Sequence, residues 1–169
     1  YKIWQHILNS AGIERFPQYH FDMVRLGIGL HGISATHANL QPVSSFKTYI
    51  SSIRNVPADQ SIGYGRKSYT TRPSRIAVIP VGYADGLNRH LSNRVGNVFI
   101  KGKRVPIIGN ICMDTCMIDV TDTNATIGDE VEIFGKHILV TELSEQLGTI
   151  PYEILTGISH RVKRVYYKE

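Results

Sequence analysis

A tyrosine stands between two glycines just past an apolar run: IAVIPV ends at Val81, and Gly82-Tyr83-Ala84-Asp85-Gly86 follows. A phenol in that place has two uses. It packs and satisfies its hydroxyl with one hydrogen bond, or it carries a proton. The second use requires its ordinary pKa of about 10 to fall, which a neighbouring cation achieves. The residue type leaves both open. Arg25 poses a similar choice. It interrupts the apolar stretch MVRLGIG, and a buried guanidinium is costly without a partner. It therefore meets a partner or a ligand, or it points to solvent from an alternating strand.

Gly27-x-Gly29-x-x-Gly32 spells a dinucleotide fingerprint. That fingerprint must open a helix, and ISATHANLQP shows no helical periodicity. Glycine amides can still approach an anion closely, because no Cβ intervenes. Ser10 follows one strand-like run and Gly27-Ile28 another. Turns after the last two strands of a barrel are a recurring phosphate site; a simple tight turn accounts for the glycines equally well. Ile111-Cys112-Met113-Asp114, just after Gly109, either closes a pocket or enters a strand, and the same two readings apply to Gly63-Tyr64-Gly65.

The two cysteines, Cys112 and Cys116, are too few for a four-cysteine zinc site and have no H-x3–5-H pair nearby. They suit a reducing compartment. The densest basic run, His160-Arg161-Val162-Lys163-Arg164, reads as a solvated strand edge.

The elements that must position these residues divide the chain in two. Among the 169 residues, 42% are hydrophobic and 20% charged, enough apolar content for a core. The net charge of +5 permits anionic partners. No apolar run approaches the roughly 20 residues of a membrane span, and no signal segment opens the chain. It begins at Tyr1 and enters KIWQHIL at once, as expected of a chain that starts inside a larger protein.

Residues 3–8 and 23–26 read as strands, with a polar turn at Asn9–Gly12 and a short helical connection near Phe16-Pro17, the pattern of the end of an α/β unit. SATHANLQPVSS, after about Ser34, reads as a boundary. Strand patterns then dominate. SFKTYISSI, RIAVIPV, TCMIDV and Asp129–Phe134 are strand candidates, and VFI-KGK-RVPIIG is a hairpin turning at Gly102. Thr141 can cap a short helix that presents Leu143 and Leu147 on one face and stops at Gly148; Pro151 opens another. ISHRVKRVYY reads as a closing strand. A barrel or sandwich of about 130 residues follows the boundary.

In order and together, these stretches resemble the fold-type III, pyridoxal-phosphate-dependent alanine racemases. The resemblance rests on Asn9-Ser10-Ala11, residues 15–32, Gly63-Tyr64-Gly65, IAVIPVGYADGLNRHLSN (76–93), VPIIGNICMDTCMIDV, GDEV and YEILTGIS-x-RVKRVYY. It implies that residues 1–35 are the end of a truncated cofactor-binding (β/α)8 barrel and residues 36–169 the C-terminal β domain, mainly β and barrel-like. By the same resemblance, Tyr83 exchanges the Cα proton on the L-alanine face. The opposite face belongs to the family's cofactor-bearing lysine, and Lys2 is not that lysine. Arg25 hydrogen-bonds the cofactor's pyridine nitrogen and, being only a donor, keeps it unprotonated. Ser10, Gly27 and Ile28 bind the cofactor phosphate, and the amide of Met113 touches the substrate carboxylate.

Three positions depart from the family pattern. His160 replaces a tyrosine that contacts the phosphate, where a histidine can still donate. His31 replaces another tyrosine, and Asn110 a common arginine. The resemblance further implies a head-to-tail homodimer in which Tyr83 reaches the second subunit's cofactor. It implies a bacterial, cytoplasmic isomerase acting on L- and D-alanine for peptidoglycan synthesis, with no nucleic acid or membrane partner and no metal, and it implies that this portion alone is inactive. A serine or broad-specificity racemase shares the motifs. A basic barrel that binds nucleic acid is the alternative from a different class, though the interleaved aromatic–basic stripe such modules use is missing.

Overall fold

The computed structural model describes residues 1–36 and 39–167. The chain separates into two units, Tyr1–Ser45 and Phe46–Glu169. The polar stretch read as a boundary includes His37 and Ala38, which lie outside the described residues.

The first unit holds one short helix, α1 (Ser10–Arg15), started by Asn9, whose side chain accepts from the Gly12 amide. The Asn9–Gly12 stretch is thus a helix start rather than a turn, because an asparagine there satisfies an amide that would otherwise lack a partner. Two 3-10 turns follow, Pro17–Tyr19 and Ile28–His31. Residues 3–8 and 23–26, expected as strands, are not strands here. They run in the same direction, joined by Asp22 N–H to Gln5 O and Arg25 N–H to Leu8 O. Two bonds between two segments do not make a ladder, and an isolated strand pair is marginal in water.

The second unit is built from β1 (Phe46–Tyr49), β2 (Ser52–Val56), β3 (Ser61–Ile62), β4 (Ser68–Tyr69), β5 (Ser74–Ile79), β6 (Asn97–Ile100), β7 (Lys103–Ile108), β8 (Cys116–Asp119), β9 (Glu130–Phe134), α2 (Val140–Leu147) and α3 (Pro151–Thr156). Seven strands form one antiparallel sheet in the order β1-β9-β6-β7-β8-β5-β2. The two end strands are consecutive in the chain, separated only by Ile50-Ser51. Three residue steps span at most about 11 Å, whereas seven strands laid flat would put the ends roughly 29 Å apart. The sheet therefore curls round on itself. SFKTYISSI, expected as one strand, is broken at Ile50 because its halves pair with different partners, β9 and β5.

The inner face of the curl is aliphatic: Ile50, Ala77, Ile79, Ile100, Ile107, Ile118, Val120 and Val131 are all buried. α2 packs Leu143 and Leu147 on this core and stops at Gly148 in the left-handed conformation. Its N-cap is Leu139, and Thr141 lies inside the helix. A smaller cluster on the other face, Ile62, Ile76 and Ile108 with Met117, joins β3 to the sheet. The hairpin between β6 and β7 turns at Lys101-Gly102, both at positive φ (47° and 77°), the backbone that two-residue hairpins require.

Residues 158–167 do not form the expected closing strand. Arg164 donates instead to the carbonyls of Ile158, Ser159 and Val162. With these bonds turning the segment back on itself, its alternating pattern finds no strand partner.

Candidate functional site

In the second unit, β5 ends at Ile79 and the chain turns through a 3-10 element, Tyr83–Asp85. The turn lies directly against the loop before β8. The Tyr83 amide donates to Cys112 O (3.0 Å) and the Ala84 amide to Met113 O (3.0 Å). Gly82 makes this approach possible, since a Cβ there would overlap the carbonyl oxygens of both Cys112 and Met113. The glycine before the tyrosine thus serves close backbone contact, not an unusual φ.

The two turns hold their functional groups outward. Tyr83 is 45% exposed and Met113 53%. Among the described residues, the Tyr83 hydroxyl has no hydrogen-bond partner and no acceptor takes the Met113 amide. A hydroxyl and an N–H are therefore available on two turns whose backbones are bonded to each other.

A third segment secures them. Asp85 accepts from the Gly82 amide through Oδ2 (2.9 Å) and from Arg161 Nε through Oδ1 (2.7 Å). The other arm of Arg161 reaches Asp114 Oδ1 (2.6 Å). The Ser159 amide donates to Asp85 O (3.1 Å). The hydrogen bonds that Arg161 donates to Asp85 and then Asp114 raise its proton affinity above the ordinary range, and a guanidinium is charged in any case. The sequence placed Arg161 on a solvated edge, but it joins both motif loops. Its partners lie 76 and 47 residues away, too far for any local pattern. The available signal was one acidic residue in each motif, Asp85 and Asp114. His160, beside it, is exposed.

Asn110, at the position where an arginine is common, donates to Tyr64 O (2.7 Å) and accepts from Asn93 (3.0 Å). It ties the exposed Gly63-Tyr64-Gly65 loop to the approach of the Cys112–Asp114 turn. Cys116 is fully buried, and burial pushes its thiol up to about 12.

The first unit gathers the other expected residues. Ser10 is buried, and its Oγ accepts from the amides of Gly27 (2.8 Å) and Gly29 (3.2 Å). Those bonds use the oxygen's lone pairs, leaving the hydroxyl proton to donate. Ile28 opens a 3-10 turn, where an amide has no preceding carbonyl to bond, and none takes it among the described residues. Arg25 is exposed and donates to Ile7 O (2.8 Å). Among the described residues no carboxylate pairs with it, and no cluster of three or more potential metal ligands exists.

A sequence profile described as the alanine racemase C-terminal domain matches residues 43–166. Alanine racemase 2 of Caldanaerobacter subterraneus subsp. tengcongensis is 47% identical over 172 residues, covering 96% of this chain and 44% of that protein. The alanine racemase of Methanococcus maripaludis is 44% identical, covering 96% and 46%. The crystal structure of alanine racemase from Bartonella henselae with covalently bound pyridoxal phosphate superposes with a TM-score of 0.91 at 37% identity, covering 99% of this chain and 48% of that one. The chain thus spans a little under half the length of these relatives.

Proposed function

The chain belongs to the alanine racemase family, and from that membership we propose that it is the tyrosine-bearing part of a pyridoxal-phosphate-dependent isomerase that interconverts L- and D-alanine. One observation carries the reading: the uncommitted Tyr83 hydroxyl and the free Met113 amide stand on two turns whose backbones are bonded to each other. A proton carrier needs a hydroxyl free to exchange, and a carboxylate substrate needs an N–H to orient it. Tyr83 serves the L face of alanine, and Met113 N–H receives the carboxylate. The opposite face needs a second base, a lysine in the family to which the chain belongs.

The residues of the first unit fit the cofactor by their chemistry. Ser10 O–H and Ile28 N–H are donors suited to a phosphate oxygen; the Gly27 amide, expected to bind the phosphate as well, is committed to Ser10 Oγ and serves the site by orienting that hydroxyl instead. Arg25, charged and without a carboxylate partner among the described residues, would face the pyridine nitrogen as a donor only. When bound, pyridoxal phosphate supplies the electron sink that makes the Cα proton removable. His160 takes the place of the phosphate-contacting tyrosine. The exposure of Tyr83 and Met113 suits a head-to-tail homodimer in which this tyrosine serves a second copy's cofactor. No described helix is long and apolar enough to cross a membrane, and we assign the enzyme to the cytoplasm, supplying D-alanine for peptidoglycan.

The test is Tyr83→Phe in the whole protein, with D-alanine formation from L-alanine as the measurement. Turnover falls by a factor of about 10² to 10⁴, the usual contribution of a positioned acid or base. Unchanged turnover removes Tyr83 from this role, and an amino-acid panel separates alanine from serine as substrate.

A further inference from the structure

We infer that Arg161 is a positioning residue for proton transfer by Tyr83, its guanidinium fixing the Tyr83 turn against the Met113 turn through Asp85 and Asp114. The inference rests on the reading of Tyr83 as the proton carrier. Two backbone bonds, Tyr83 N to Cys112 O and Ala84 N to Met113 O, lie on adjacent residues. Arg161 supplies a second, separate line of attachment. Nε and a terminal nitrogen of one rigid plane engage one carboxylate from each motif, so covalent geometry sets the spacing of the two loops.

An ordinary exposed ion pair does little, because solvent screens it. This one differs in two ways. The Asp85 side chain is only 13% exposed. Its other oxygen holds the amide of Gly82, the residue just before Tyr83, and Asp114 directly follows Met113. A shift of either carboxylate therefore moves the residue that does the work. Proton transfer depends steeply on donor–acceptor distance, so a displacement of about 1 Å can cost about 100-fold in rate.

The experiment uses Arg161→Met, Arg161→Lys and Asp114→Asn in the whole protein. In Arg161→Met the amides of Tyr83 and Ala84 exchange with deuterium about tenfold faster or more, while the β5–β8 amides keep their protection. Turnover per folded chain falls about 10- to 100-fold with little change in KM. The primary isotope effect with L-[2-²H]alanine rises and that with D-[2-²H]alanine falls, because the L-face step becomes slow. Lysine does not restore the activity, since one ammonium cannot span both carboxylates in the planar geometry. Asp114→Asn, which alters a 60% exposed side chain, shows the same changes at smaller size and serves if Arg161→Met does not fold. Unchanged amide exchange and isotope effects in the folded variants overturn the inference. A Tyr83→Phe protein with full turnover overturns it together with the assignment of Tyr83; loss in Tyr83→Phe with unaltered isotope effects in the Arg161 variants overturns it alone.

Discussion

The amide of Tyr83 donates to the carbonyl of Cys112 across 3.0 Å, joining two segments that lie 29 residues apart in the chain. The contact exists because Gly82 carries no side chain. The first prediction follows from that. In Gly82→Ala the new methyl meets backbone oxygen on both Cys112 and Met113, and neither can rotate away. The φ of −142° suits alanine, so the cost is steric alone: about 1–3 kcal/mol of lost stability. Urea denaturation measures it, and turnover falls because the two turns part. A variant with wild-type stability would show that the turns are not held this closely.

Gly102→Ala provides the contrast. A Cβ there meets nothing within 4 Å, but φ is +77°. The cost is backbone strain alone, about 1–2 kcal/mol, and turnover per folded chain stays at the wild-type level. Denaturation midpoints and activity measured side by side on the two variants separate a glycine needed for contact from one needed for its backbone angle.

The difference between those glycines also marks what the sequence could disclose. The β6–β7 hairpin, β5, β8, α2 and α3 were legible because each is set by a local pattern: a Lys-Gly turn, alternation, a helical face, a proline in the first turn. The break at Ile50 was not, since β1 and β2 separate only because they pair with strands distant in sequence. Residues 158–167 carry a strand-like alternation, but Arg161 is drawn to Asp85 and Asp114 and Arg164 folds back onto the carbonyls of its own segment. Tyr83 and Met113 stood out through the motifs of a known family. The contact between their two turns and the arginine across them depend on the curled sheet and became visible only there.

Acid should weaken the end of β9. Glu132 is 6% exposed and accepts from the His137 amide (2.7 Å), its ring (3.0 Å) and the Ile138 amide (3.1 Å). The His137 ring also stacks on Phe99, with centroids 3.8 Å apart. Burial alone would raise the Glu132 pKa, but these hydrogen bonds outweigh it and hold the carboxyl below its ordinary 4.5. A depressed folded pKa contributes stability above the unfolded value and loses it as pH falls through the folded one. Glu132→Gln should therefore cost about 1–3 kcal/mol at pH 7, and the gap to wild type should narrow below pH 4.5. Denaturation at several pH values checks this; a constant gap would place the effect elsewhere.

Thiol reagents should distinguish the two cysteines. Cys116 is buried on β8 and its thiol is pushed up to about 12 by burial, whereas Cys112 is partly exposed beside Met113. Reactivity follows thiolate and access. Alkylation of the native protein at pH 8, located by peptide mass spectrometry, should label Cys112 and leave Cys116 unmodified until denaturant is added. Equal labelling would mean that the core opens on the timescale of the reagent.

Ser10→Ala tests the first unit by itself. The Ser10 oxygen accepts the amides of Gly27 and Gly29 from a residue only 5% exposed. Alanine leaves two partly buried N–H groups without an acceptor, each costing about 1–3 kcal/mol where water cannot replace the bond. Faster deuterium exchange at Gly27 and Gly29 should report this directly. If the Ser10 hydroxyl also donates to the cofactor phosphate, the same variant weakens pyridoxal phosphate binding, read as a rise in the concentration needed for half-saturation. Added inorganic phosphate then competes less effectively than with wild type. Ser10→Thr keeps the hydroxyl and should recover both effects in part. Faster exchange at the two glycines with unchanged cofactor affinity would make Ser10 a brace for the turn and nothing more, because the amides would have moved without disturbing the phosphate.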